Sequence, residues 1–403
     1  MIRWLSSLAL VLSAPAAMAQ DDSAIINPQA IAPFLARLPQ ATERPLHILQ
    51  LGDSHTAGDM LTQGWRQAWQ TEYGAGGRGM MAVGRPYQGY LTWGVTAGQS
   101  EGWSVQPLFG KQRVAGGPAN GLSGFTQSAQ QAGASLTLRA DSVDFAFNRF
   151  SLCGLTGPDK GAVHIVLGEV SGDVSFAAPQ AGVTCFDLSS AAPVTQASIT
   201  TLEDRPVSLT AWDSRRDAGI VLSNLGVVGS KLSMLARMDE AVLATELRHA
   251  SPDLLVIAFG TNEGFDPALK LEEAEAAFRN QIARLRRLAG ADVPILLLGP
   301  PDAASSRADV ARPDLPETVA CGQGWAVPAH LAQVRAMEQR LAADLNLAFW
   351  DWQQAMGGAC SSSTWVAQGL QRGDHVHFSK DGGRRLGETL ARALDRARAQ
   401  VVK

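Results

Sequence analysis

An α/β architecture, a parallel sheet interrupted by a β-rich insertion, is predicted by three features of this 403-residue sequence. After about residue 219, short apolar runs alternate with amphipathic helical stretches. The residues before Pro86 open with the same strand-then-helix pattern. Between them the texture changes to short β-type runs separated by Gly, Ser, Pro and Asp. The parallel-sheet domain is therefore expected in two pieces, 20–86 and 220–403, around an inserted piece at 87–219, with residues 1–19 set apart as a leader.

That leader joins Arg3, an apolar run from Leu5 to Leu12 and the small-residue end Ala17-Met18-Ala19, the pattern of a signal peptide. The run is too short to span a bilayer, and no second apolar stretch of about 20 residues follows. Periplasmic or secreted localisation without stable membrane insertion is expected. No cysteine opens the mature chain, which argues against a lipoprotein.

His47 to Leu51 reads as a strand, Gly52 breaks it, and Ala57 to Trp69 resumes at helical spacing. Ser54 falls on the turn between them, where a serine either presents its hydroxyl as a nucleophile or caps the helix. In the inserted piece, Ser135–Leu138, Val143–Phe147, Val163–Leu167, Val174–Ala177 and Val207–Ala211 are the candidate strands of an antiparallel sandwich or jelly roll. Tyr87, Tyr90, Trp93, Trp103 and Trp212 lie in or beside it, either to stack on sugar rings or to fill its core and the seam between domains.

Next, residues 224–231 (NLGVVGSK) place Gly226 and Gly229 before a helical stretch from Lys231 to Leu247. Gly229 can offer a backbone N–H to a bound anion or serve its turn. Residues 253–259 (DLLVIAF) form a buried strand that ends in Gly260, Thr261, Asn262 and Glu263. Ligands of open α/β sheets sit at such strand ends, so Asn262 is an oxyanion donor or a turn former. A helix over 269–288, a strand over 294–298, a helix over 331–345 and a strand over 347–352 complete the alternation. Their nearly uninterrupted apolar strands fit a sheet covered on both faces. Finally, Asp374 and His377 stand three apart before an amphipathic helix through Leu386 to Leu394. On one helical turn that spacing faces both side chains the same way, so the carboxylate can orient the imidazole and leave its other nitrogen to take the proton of Ser54.

In order, GDS with Ser54, the glycine block with Gly229, GTN with Asn262 and DxxH with Asp374 and His377 resemble the four blocks of the SGNH, or GDSL-like, hydrolases. The resemblance implies a flavodoxin-like α/β/α domain without cofactor or metal. It makes Ser54 the nucleophile, His377 the general base and then acid, and Asp374 the orienting carboxylate. The Ser54 N–H, the Gly229 N–H and the Asn262 amide form the implied oxyanion hole. Glu263 stands where the family often has Asp, a departure expected to affect loop packing rather than chemistry. GDSHTAGDMLTQGWR followed by GAGGRGMMAVGRP is similar to the periplasmic peptidoglycan O-acetylesterases, which carry a β-sandwich, carbohydrate-module-like insertion and remove acetyl groups from muramic acid. O-acetylated peptidoglycan or a related polysaccharide is then the partner. An O-acetyltransferase or another carbohydrate acetylesterase could use the same triad, and a non-catalytic glycan-binding protein is the third reading. A lipase is disfavoured because no long apolar lid segment is evident.

The formal net charge is −4, and removing the leader takes one further positive charge with Arg3. Basic residues are dispersed; the densest group, Arg284, Arg286 and Arg287, reads as a solvated helix face, which excludes nucleic acid as a partner. Four cysteines in an exported chain pair most economically as Cys153–Cys185 and Cys321–Cys360, with other connectivities and free thiols left open. They lack the CxxC or Cys/His clustering of a zinc site. His55 and His375 flank the catalytic candidates as substrate contacts or packing groups, and Asp53 shapes the turn. Asp302 lies on the same sheet edge without an assigned role, while Arg78 and Arg85 either line the cleft or brace a loop. Composition sets no oligomeric state.

Overall fold

The computed structural model describes residues 23–402, so the leader expected over residues 1–19 lies outside the described residues. The parallel sheet is built from β1 (Pro45–Gly52), β2 (Gly219–Gly226), β3 (Leu254–Ala258), β4 (Ile295–Leu298) and β5 (Ala348–Trp350). Its order is β2-β1-β3-β4-β5, with Ile25–Ile26 antiparallel on the β5 edge. This is the flavodoxin-like order, whose direction of winding reverses between β1 and β3 and opens a crevice there at the carboxyl ends.

Because every strand is covered on both faces, alternation survives only as a choice between two apolar cores. Ile48, Val256 and Leu296 join the core beneath α1 (Met60–Tyr73) and α5 (Lys380–Val401). Leu49, Leu255 and Leu297 join the core beneath α2 (Glu240–Ala250), α3 (Leu271–Ala289) and α4 (Leu331–Asp344).

Two antiparallel sheets occupy the intervening chain. One has five strands, Val95–Gln99, Ser135–Ala140, Gln196–Thr201, Ala162–Leu167 and Val170–Ser175, in that spatial order. The other is centred on Phe147–Thr156 and Val207–Arg215. The strand Gly77–Met81 pairs with Val207–Arg215. Leu136, Ile165 and Ile199 of the first sheet and Phe150, Leu152 and Trp212 of the second meet in a single apolar cluster. The cysteines pair as Cys153–Cys185, across adjacent strands, and Cys321–Cys360.

Three sequence expectations are corrected. Val143–Phe147 is not a strand: Val143–Phe145 is a 3-10 turn held by the Arg216 guanidinium, which donates to the carbonyls of Val143, Asp144 and Ala146. The helix expected over 57–69 is divided, with Ser54–Ala57 ending at Gly58 and α1 starting after Asp59 in the left-handed region. The helix expected over 231–247 is also two elements, the 3-10 segment Leu232–Arg237 and α2, whose start is capped by Asp239.

Candidate active site

Ser54 opens the short helix that follows β1. Its turn is tightly packed: a Cβ on Gly52 would lie 2.0 Å from Thr56 Oγ1, and one on Gly226 would lie 2.0 Å from the Ala57 nitrogen. Gly226 is thus a close-approach glycine. Gly229, at φ 77°, has open space around it and follows Val228, which lines the same cleft as Ser54. The backbone N–H groups of Ser54 and Gly229 donate no hydrogen bond among the described residues.

The segment after Gly373 approaches Ser54 from the other side of the sheet edge. His377 Nε2 lies 3.1 Å from Ser54 Oγ, and His377 Nδ1 lies 2.8 Å from Asp374 Oδ2. The helical turn expected for Asp374 and His377 is absent. Asp374 Oδ1 instead accepts the backbone N–H groups of Val376 and His377, both at 2.9 Å, while His375 takes a left-handed φ of 57°. A short acidic side chain competes well for nearby backbone donors, and here it closes a non-helical turn with the same facing of side chains. Partial burial pulls the Asp374 pKa up, but the His377 and Val376 N–H groups and the His377 ring outweigh it and hold the carboxyl below its usual value. The carboxylate stays charged beside the imidazole.

Asn262 follows β3, across the crevice. Its Nδ2 donates to the Ser230 carbonyl at 2.9 Å and reaches Asp53 Oδ2 at 3.5 Å. Glu263 closes the turn, Oε2 accepting the Gly260 N–H at 3.1 Å and Oε1 the Leu232 N–H at 2.8 Å. Glu263 thus ties the turn to the start of the 3-10 segment. Burial raises the Glu263 pKa to about 7. Behind it, Glu338 of α4 is fully buried without a hydrogen-bond partner, and burial, together with the Glu263 and Asp53 charges, pushes its pKa well up.

The remaining candidates divide. His55 is buried beneath the site, Nδ1 3.2 Å from Asp53 Oδ1 and Nε2 2.9 Å from the Val376 carbonyl, its ring stacked on His377 at 5.5 Å. Burial alone would lower its pKa, yet Asp53 and the Val376 carbonyl raise it above the ordinary value. His375 stacks on Trp325 at 3.9 Å. Asp302 is buried and accepts from Gln353 Nε2 and the Ser362 N–H, anchoring the support of the 371–376 loop. Arg78 braces the buried Asp59 at 3.1 Å, and Arg85 is exposed. Trp212 is core; Trp103 packs against it; Tyr87 and Tyr90 pack around Phe125, with Tyr87 also facing the cleft. Sequence reasoning missed Arg372, which stands on the cleft wall directly before the Gly373-Asp374 block. That cleft, about 260 Å³, carries Ser54, Leu91, Val228 and His377 on its walls. Among the described residues, the group Cys153, Cys185 and His249 is compact enough for a metal, but its two sulfurs are joined in a disulfide.

A doubly covered parallel sheet carrying Ser, His, Asp and Asn at its switch point defines an α/β hydrolase of flavodoxin-like order. The chain resembles the SGNH, or GDSL-like, hydrolases and is an esterase of that type. Residues 194–385 match the GDSL-like Lipase/Acylhydrolase family. That span holds Gly229, Asn262, Asp374 and His377, whereas Ser54 lies before it, beyond the β-rich segment. The structure is similar to that titled "Peptidoglycan O-acetylesterase in action", with 26% identity over 91% of this chain and 96% of that one and a TM-score of 0.75. A family two carbohydrate esterase from Clostridium thermocellum in complex with cellohexaose matches 72% of this chain and 97% of that one at 12% identity, with a TM-score of 0.28. No curated protein matches the chain.

Proposed function

We propose that the protein is an exported acetylesterase that removes O-acetyl groups from the muramic acid of peptidoglycan through an acetyl-serine intermediate. The observation that carries this reading is the Ser54–His377–Asp374 line of hydrogen bonds at the switch-point crevice. The similarity in overall structure to a peptidoglycan O-acetylesterase supports the choice of substrate. Ser54 Oγ attacks the ester carbonyl as His377 Nε2 takes its proton, and Asp374 stabilises the imidazolium through Nδ1. The uncommitted N–H groups of Ser54 and Gly229, with the second hydrogen of the Asn262 amide, hold the oxyanion. His377 then protonates the departing sugar oxygen, and water attacks the acetyl-serine by the same route in reverse.

Residues 87–219 are read as an inserted β-sandwich domain of carbohydrate-module type, which the shared core of the two antiparallel sheets supports. Export fits two disulfides, which persist in oxidising compartments. No helix among the described residues is long and apolar enough to cross a membrane. The test is acetate release from O-acetylated sacculi, with de-acetylated sacculi and Ser54→Ala as controls. Release by the wild type alone is expected. Transfer of acetyl to an unacetylated glycan in place of release would make the protein an O-acetyltransferase, and equal release by Ser54→Ala would overturn the mechanism.

A further inference from the structure

A second cleft, of about 330 Å³, lies along α1. One wall is α1, which presents Gln63 and Gln67 at i and i+4 with Thr71 a turn beyond. The Gln70 amide is committed to the carbonyls of Gly77 and Ile220, but those of Gln63 and Gln67 make no hydrogen bond among the described residues. Arg66 forms the floor. It is buried, gives Nε to the Leu222 carbonyl and Nη2 to Asp59, and keeps Nη1 uncommitted. The facing wall comes from the β-rich segment. Trp93 is half-buried under the Lys380 ammonium, 4.4 Å from its ring centre, and Phe145 stands 42% exposed.

The same two segments line both clefts. Met60 lines the Ser54 cleft and Gln63 the second one, three residues and about 4.5 Å further along the helix axis. On the facing segment Leu91 lines the Ser54 cleft and Trp93, two residues on, the second one. The clefts therefore follow one another along the same pair of segments.

We propose that the second cleft is a saccharide subsite, holding sugar units of the same glycan strand next to the acetylated residue at Ser54. This rests on the reading of the protein as a glycan esterase. Free amides both donate and accept, which suits the hydroxyl and N-acetyl groups of a sugar. Trp93 and Phe145 offer apolar surface to the ring. The polar helix face and the buried guanidinium floor do not suit an acyl chain.

The test uses chitohexaose, a β-1,4 N-acetylglucosamine hexamer without ester groups, so that binding is read without turnover. By calorimetry on the full mature chain, the hexamer is expected to bind at least tenfold tighter than chitobiose. The double variant Gln63→Ala/Gln67→Ala and, independently, the surface variant Phe145→Ala are each expected to lose at least fivefold of that affinity while melting as the wild type does. Unchanged hexamer affinity in both variants, or no binding by the wild type, overturns the subsite. Acetate release from sacculi is scored separately, so failure of the esterase reading is distinguishable from failure of this one.

Discussion

Asn262 uses one amide hydrogen on the Ser230 carbonyl and keeps the other directed only at a distant Asp53 oxygen, 3.5 Å away. In the oxyanion hole proposed above it is a donor, and removing such a donor costs about 3 to 4 kcal/mol of transition-state stabilisation. Asn262→Ala is therefore expected to keep the fold and to lower kcat on nitrophenyl acetate by a hundredfold or more; near-wild-type turnover would remove Asn262 from the oxyanion hole. His55 acts at one remove. Its ring joins the nucleophile turn, through Asp53, to the Val376 carbonyl, the residue before His377. Losing that strut lets His377 drift, and misplacement of a reacting group by about 1 Å can cost on the order of a hundredfold. His55→Ala is expected to lower kcat by roughly tenfold or more, with His55→Gln, which keeps a donor for Val376, recovering part of it. Equal kcat for the alanine and wild-type proteins would refute the strut. The placing of Ser54, Asn262, Asp374 and His377 at one crevice was legible because each follows an abrupt change of pattern at an element's end. The strut was not, since a buried imidazole between a carboxylate and a carbonyl 321 positions away leaves no local trace.

Element type was most readable where the apolar pattern was long, as in α3, α4 and the strands β3 to β5, and least where a distant group decides the backbone. Val143–Phe145 looks extended in isolation, but three hydrogen bonds from Arg216 bend it into a 3-10 turn. The expected single helix after Ser54 breaks at Asp59, whose carboxylate is taken by Arg66, Arg78 and Asn224. Helix packing was equally silent in the sequence. A Cβ on Gly387 of α5 would lie 2.1 Å from the Leu61 carbonyl oxygen of α1, and one on Gly64 of α1 would lie 2.5 Å from the Arg384 carbonyl oxygen. These glycines let the helix that follows His377 sit against the helix that follows Ser54. Propensity alone would make Gly387→Ala stabilising by up to about 1 kcal/mol, whereas overpacking against backbone costs about 1 to 3 kcal/mol or more. The clash is with main chain and cannot swing away. Gly387→Ala is thus expected to lower the unfolding free energy by about 2 kcal/mol and to reduce kcat as the helices part; a denaturant melt showing a gain in stability would refute the close packing.

At the scale of the whole molecule, one of the groups that tie the β-rich segment to the helices of the parallel sheet is unusual. Glu246 of α2 is fully buried, and its Oε2 accepts the Leu122 N–H at 2.6 Å from across the seam, where Asp239 also donates its N–H to the Asn120 carbonyl. The β-rich texture of the middle segment was legible, but this clasp was not, because nothing in a helix sequence distinguishes a buried Glu from a solvated one. Burial raises the Glu246 pKa from 4.5 to about 7, against the weaker opposing pull of Thr210, Leu122 and His249. The sign of the linkage follows. Between those two values the native state holds a proton that the unfolded chain has lost, so this group's contribution is complete below pH 4.5 and declines as the pH rises through 7. A displacement of this size corresponds to about 3 kcal/mol at full ionisation. Glu246→Gln keeps an oxygen acceptor for Leu122 and has nothing to ionise. Its stability relative to the wild type is therefore expected to improve by about 2 to 3 kcal/mol between pH 5 and pH 8. Paired denaturant melts at the two pH values measure this directly, since the other titrating groups cancel in the difference. A gap between variant and wild type that stays constant with pH would show that Glu246 is ionised throughout and that the seam does not depend on its proton.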